Sequence, residues 1–263
     1  MKLPHTIAVA TLMIGFGIAD FPVLAAEIPQ AERRSGYSFM TPDTKAIQDD
    51  DTANPGMLWV LDGEALWKTK TGAASKACAD CHNDARASMK GVAARYPTFD
   101  TTLGRPVNLE QRVNLCRVRH QQATALPYES RELLALTAFV AQQSRGMAIE
   151  AGIDPRLEPF VARGRDLFMQ RQGQLNLACA NCHDDNWDKR LAGSAITQGH
   201  PTGYPLYRLE CQSLGSLQRR LRSCISGIRA QTYDYGAPEL VELELYLMSR
   251  AREMPMETPA VRP

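Results

Sequence analysis

The chain has 263 residues, 44% of them hydrophobic, enough to bury more than one small core. Its 30 Lys and Arg nearly balance 29 Asp and Glu, for a net charge of +1, so bulk electrostatics names no partner. There is no polybasic tail and no interleaved basic–aromatic stripe, which removes the signature of a nucleic-acid binder.

Residues 1–26 have the layout of a cleavable secretory signal. Lys2 is a short basic region, an apolar stretch runs to about Phe16, and the small residues of Val-Leu-Ala-Ala at 23–26 place cleavage after Ala25 or Ala26. A membrane anchor is the alternative. Against it, the apolar run falls short of the ~20 residues a span needs, and Asp20 interrupts it. No later stretch is apolar enough to span, so the expectation is an exported protein. Residues 27–54 are polar, carry Asp49–Asp50–Asp51, and are expected to form an extended arm outside any core.

Two similar units follow, at 55–147 and 152–255. Each contains C-x-x-C-H, as Cys78–Cys81–His82 and Cys179–Cys182–His183. The spacing suits covalent haem c: two thiols add across the porphyrin vinyls, and the adjacent imidazole reaches the iron. A pair of redox or zinc CxxC motifs would leave both histidines unexplained. Gly63 and Trp67 lie on one prospective helix, with Gly63 fifteen residues before Cys78; Gly164 and Phe168 repeat this before Cys179. Near each unit's end, Leu133, Leu136 and Val140 form one helical stripe and Leu240, Leu243 and Leu247 another. The fold class expected is mainly α: two class I cytochrome c-type domains in tandem, joined through the proline-containing segment 152–159. Residues 256–263 are proline-rich and expected to form an irregular tail.

Each unit also holds one further cysteine, Cys116 or Cys224, with an arginine four positions before it, Arg112 or Arg220. Residues four apart share a helix face. Repetition makes Cys116 and Cys224 the candidate distal iron ligands opposite His82 and His183. A thiolate stabilises ferric iron, and arginine offsets its charge. The methionine candidates, Met89, Met147, Met248, Met254 and Met256, do not repeat. A Cys116–Cys224 disulfide is the competing reading. Arg219, Arg222 and Arg229 are expected to shape the field around Cys224. Cys211 has no counterpart and reads as a buried small residue or a link to another chain. For His120 and His200 an iron-ligand role is the alternative to the preferred reading, a solvated loop.

The stretches "CADCH", "CANCH", "GYPLYRLE", "GSLQRRLRSCISGIRA" and "ELELYLMSRA" resemble SoxA, the dihaem subunit family of the SoxAX cytochromes of thiosulfate oxidation. The resemblance spans nearly all the mature chain. It departs at Cys211, where many relatives carry a large aromatic. It implies two covalently bound haem c groups, on Cys78 and Cys81 and on Cys179 and Cys182, and an L-cysteine S-thiosulfotransferase of the periplasm. The implied partners are a SoxX-type monohaem cytochrome, the SoxYZ carrier whose cysteine takes up thiosulfate, and a soluble cytochrome c acceptor. Mapped onto this chain, Cys224 is iron ligand and catalytic sulfur, often carried as a persulfide, Arg220 binds thiosulfate, and Cys116 is the other axial ligand. A pure dihaem electron carrier, a dihaem peroxidase and a haem-based sensor are the alternative classes.

Overall fold

The computed structural model describes residues 28–263; the signal expected at 1–26 lies outside the described residues. The arm is a run of short helical turns, at 30–32 and 36–39, followed by α1 (Pro42–Asp49), capped by the Thr41 hydroxyl accepting from Thr44 N at 3.4 Å.

The first domain comprises α2 (Met57–Lys68), α3 (Ala79–His82), α4 (Ala85–Ser88), strands β1 (Thr98–Asp100) and β2 (Arg105–Val107), α5 (Leu109–Cys116), a wider helical turn at Arg117–Gln121, and α6 (Arg131–Gln142). The second repeats the plan with α7 (Glu158–Met169), α8 (Cys179–His183), the small hairpin β3 (Arg190–Leu191) and β4 (Ser194–Ala195), the hairpin β5 (Leu206–Arg208) and β6 (Ser213–Gly215), α9 (Leu217–Gly227) and α10 (Pro238–Arg250). A last strand, β7 (Ala260–Arg262), follows.

The expected glycine crossings are present. A Cβ on Gly63 would sit 2.1 Å from the Ala135 carbonyl oxygen, and one on Gly164 2.1 Å from that of Glu242. Backbone therefore meets backbone where α2 crosses α6 and where α7 crosses α10. Trp67 packs 5.8 Å from Phe139, and Phe168 5.4 Å from Tyr246, centroid to centroid. Leu133, Leu136 and Val140 are buried, as are Leu240, Leu243 and Leu247, so both stripes face a core. A third apolar cluster joins the domains: Ala93, Ala94 and Ala141 meet Met248, Ala251 and Met256.

The C-terminal segment departs from expectation. Instead of an irregular tail, β7 pairs in parallel with β5, giving a sheet ordered β6–β5–β7, with Ala260 and Val261 fully buried. The prolines at 255 and 259 stop short of the strand itself, and the Ala-Val pair supplies an apolar face. Val261 N donates to Gln48 Oε1 at 3.1 Å, which ties β7 to α1. First and last described segments thus brace the hairpin of the second domain.

Candidate functional site

In the first domain Cys78 starts α3, with Cys81 and His82 one turn on. The loop before it folds back through a Thr71–Lys76 bridge and is pressed against the end of the α5 region, where Gln121 Nε2 donates to Lys76 O at 3.0 Å. Gly72 sits at φ +68° with the Gln121 carbonyl 2.0 Å from any added Cβ, so this close approach needs glycine. Trp67 lies 5.7 Å from the His82 ring and donates from Nε1 to Asn83 O at 3.1 Å. Burial pushes the Cys116 thiol up, Arg112 and Arg119 oppose this, and the nearby Cys81 sulfur adds to it. Cys116 also acts on Cys78. The three sulfurs of this domain therefore converge.

The second domain repeats the arrangement. The Gln172–Leu177 bridge and Gly173, at φ +67° against the Ile228 carbonyl, press the preceding loop onto the end of α9. Burial pushes Cys179 up to about 11 and also raises Cys182; in both, Cys224 is the next contributor. His183 is pressed down chiefly by burial and so is neutral. Its Nδ1 is 2.6 Å from the Thr197 carbonyl. A carbonyl only accepts, so the proton is on Nδ1 and the Nε2 lone pair is free. Gly199, at φ +76°, lies against the same ring. Arg250 and Asp184, both buried, pair at 2.6 Å and tie the haem-motif helix to α10.

All seven cysteines are free, and Cys116 and Cys224 sit in different sulfur clusters, which removes the disulfide reading. Met248, Met254 and Met256 belong to the cluster between domains, not the one around Cys179. Met147 packs against Gly91. Met89 does share the first cluster with Cys78, without a counterpart in the second domain. The donor set fits haem c in each domain: paired thiols on one short helix, an adjacent imidazole and a third sulfur. In the second domain the imidazole is also held in the tautomer that leaves Nε2 for a metal.

The arginines divide. Arg220 is solvent-exposed on α9, and Cys224 is the largest influence raising its pKa, ahead of opposing desolvation. Arg219 is committed elsewhere, donating to Ser213 Oγ at 3.1 Å and Leu214 O at 3.3 Å. Arg222 stacks 4.5 Å over Tyr235, and Arg229 is exposed at φ +57°. Of the four, Arg220 is the one coupled to the sulfur. Cys211 is exposed, not buried, at the tip of the β5–β6 hairpin, because Gln212 at φ +48° turns the chain outward there. His200 is buried rather than in a solvated loop, and donates from Nδ1 to Arg34 O at 3.0 Å. His120 is exposed, as expected.

The hairpins matching at β1–β2 and β5–β6 had no place in the sequence expectations. Each stands between a Tyr-Pro pair, Tyr96–Pro97 or Tyr204–Pro205, and the helix carrying the third cysteine. The Tyr-Pro dipeptide twenty residues before each of Cys116 and Cys224 is the signal that marks them. In the first domain Asp100, nearly fully buried, pairs with Arg112 at 2.8 Å, and Tyr96 Oη accepts from Arg112 Nε at 3.2 Å. In the second domain the equivalent position is Arg208, and among the described residues Arg220 is in no ion pair.

The family model described as SoxA/TsdA, cytochrome c domain, matches residues 62–149 and 163–256. The L-cysteine S-thiosulfotransferase subunit SoxA of Pseudaminobacter salicylatoxidans is 38% identical over 93% of this chain and 88% of its own length. That of Rhodovulum sulfidophilum is 37% identical, over 88% of this chain and 80% of its own. The crystal structure of SoxXA from P. pantotrophus superposes with a TM-score of 0.85 at 32% identity, covering 88% of this chain and 87% of that one. Two matches of one cytochrome c model fall on the two domains that share helices, haem motif and third cysteine, and the chain belongs to the SoxA/TsdA cytochrome c family.

Proposed function

We propose that the chain is the SoxA-type subunit of a periplasmic L-cysteine S-thiosulfotransferase, carrying two covalent haem c groups and working with a SoxX-type monohaem partner. The reaction joins thiosulfate to a cysteine thiol of a SoxYZ-type carrier: R–SH and S2O3 2− give R–S–S–SO3 −, one proton and two electrons, which leave toward a soluble cytochrome c. Haem supplies the acceptor for electrons taken one at a time.

Cys78 and Cys81, and Cys179 and Cys182, would hold the two porphyrins, with His82 and His183 presenting imidazole to the iron. Cys116 and Cys224 would be the further sulfur donors to the two groups. Cys224 would be both a donor to the haem iron and the reacting sulfur, and the Arg220 guanidinium clamps the sulfonate end of thiosulfate through fork-shaped donors. The single observation that carries this reading is the contrast between repeats. Arg112 is neutralised by Asp100, whereas Arg220 keeps its charge beside Cys224. An anion has a place in the second domain and none in the first.

Cys224→Ser should retain two haems by mass spectrometry and lose thiosulfate-dependent adduct formation by at least ~100-fold. Full turnover in this variant rejects Cys224 as the reacting sulfur. Low-temperature EPR of Cys116→Ser and Met89→Leu tests the first domain: of the two thiolate signals, one should vanish in the former while the Cys224 signal stays, and both should persist in the latter.

A further inference from the structure

The β5–β6 hairpin and α9 enclose a cleft whose lining includes Tyr204, Arg208, Glu210, Ser213, Arg220 and Ser223, with the exposed Cys211 beside them. The two hairpins share length and register. Thr98 pairs with Val107 and Leu206 with Gly215; Asp100 pairs with Arg105 and Arg208 with Ser213. Asn108 and Ser216 then cap the following helices equivalently. Position 208 is therefore the structural counterpart of position 100.

At position 100 an aspartate accepts from Thr102 N and Leu103 N, both at 2.9 Å, and neutralises Arg112. At position 208 an arginine reverses that charge. Its Nη2 reaches the exposed carboxylate of Glu210 at 2.7 Å, while its Nε is buried without a hydrogen-bond partner. Arg208 and Arg220 both act on Tyr204, holding its hydroxyl below where burial alone would put it, though it still rises to about 12. Two guanidiniums thus border one cleft, next to a half-buried, neutral phenol. Glu210 pairs with Arg208 and also acts on Arg220, so the wall carries two guanidiniums and one carboxylate, and an unpartnered buried donor there is an arrangement that an oxyanion completes.

We propose that Arg208 is a second thiosulfate-binding residue, which holds the sulfonate together with Arg220 and so selects a small dianion over a neutral sulfur compound. This rests on the function proposed above. Arg220 alone gives a single fork beside the reacting sulfur. Arg208, on a strand clamped between β6 and β7, adds a donor fixed by the sheet.

The test uses the complete haem-loaded complex with its cytochrome partner and carrier, and measures kcat and KM separately for thiosulfate and for the carrier thiol. Arg208→Met should raise KM for thiosulfate about tenfold, with KM for the carrier unchanged. Arg208→Lys should recover part of that loss. Arg208→Asp, which recreates the pair of the first domain against Arg220, should raise it beyond ~30-fold with both haems retained. A merely structural arginine would disturb both substrates alike and would not distinguish Lys from Met. An unchanged KM for thiosulfate in haem-replete Arg208→Met and Arg208→Asp overturns the assignment while leaving the proposed function standing. A wild-type complex that forms no adduct overturns both.

Discussion

His200 is only 7% exposed and gives its Nδ1 proton to the Arg34 carbonyl at 3.0 Å. Burial, aided by Arg250 and Arg33, presses its pKa down to about 4. The folded state prefers neutral imidazole, while the unfolded chain takes up a proton near pH 6.5. The stabilisation is therefore complete above pH 6.5 and is lost as pH falls toward 4, amounting to roughly 3 kcal/mol at most. His200→Asn, which still donates to Arg34, should flatten the decline of the urea midpoint between pH 6.5 and 4. The local sequence Gln-Gly-His-Pro-Thr-Gly around His200 has the composition of a loop, and a loop it is. Its burial comes from the arm, 166 positions earlier, and no local pattern encodes so distant a cover. Cys211 is the converse case: a residue type that is usually buried stands exposed because a turn puts it there. The C-x-x-C-H cysteines and Gly63 and Gly164 were legible because each stands at a fixed spacing in a repeated motif.

At the scale of elements, the two helix crossings are the most constrained part of the fold. Gly164→Ala would drive a methyl to within 2.1 Å of the Glu242 carbonyl oxygen, a backbone atom that cannot rotate away. The helices must separate, at a cost of about 2–3 kcal/mol. A thermal midpoint lowered by several degrees, with haem attachment intact, is the expected outcome. Gly146→Ala, at a position open around its α-carbon but at φ +78°, should cost less, near 1 kcal/mol, because only the backbone conformation opposes it. These long helices announce themselves through leucine stripes. The hairpins do not, because strands of three residues are too short to show alternation, and β1 and β5 interrupt theirs with Phe99 and Tyr207. The residues that distinguish the two sites, Asp100 and Arg208, sit on those strands. Part of the chemistry therefore depends on the matched hairpin registers, which no local sequence pattern encodes.

Across the molecule, the domains meet over buried carboxylates. Glu244, on α10, is 4% exposed and accepts from Asn108 Nδ2 at 3.1 Å; Glu110, at the start of α5, is half-buried. Desolvation holds Glu244 well above the usual carboxylate range, with Glu110 adding to it, and raises Glu110 to about 7. The folded protein thus holds protons that the unfolded chain releases near pH 4.5. This contribution is full below that value and is lost as pH rises through 7. Above pH 6.5, where the His200 contribution is already complete, the wild type should lose stability as pH rises to 8. Glu244→Gln keeps an acceptor for Asn108 without a charge, and its thermal midpoint should vary less over that range. The tandem division was readable from the repeated motifs. The joint was not, because its acids lie on helices whose apolar stripes already account for their burial.

From hairpin to third cysteine the two domains keep a constant offset of 108 residues, and this has one practical effect. Each half is a calibrant for its twin within the same polypeptide. Ionic strength, temperature or a crowding agent perturbs both alike, so a signal confined to one lobe reports its own chemistry, and a single sample supplies measurement and blank together.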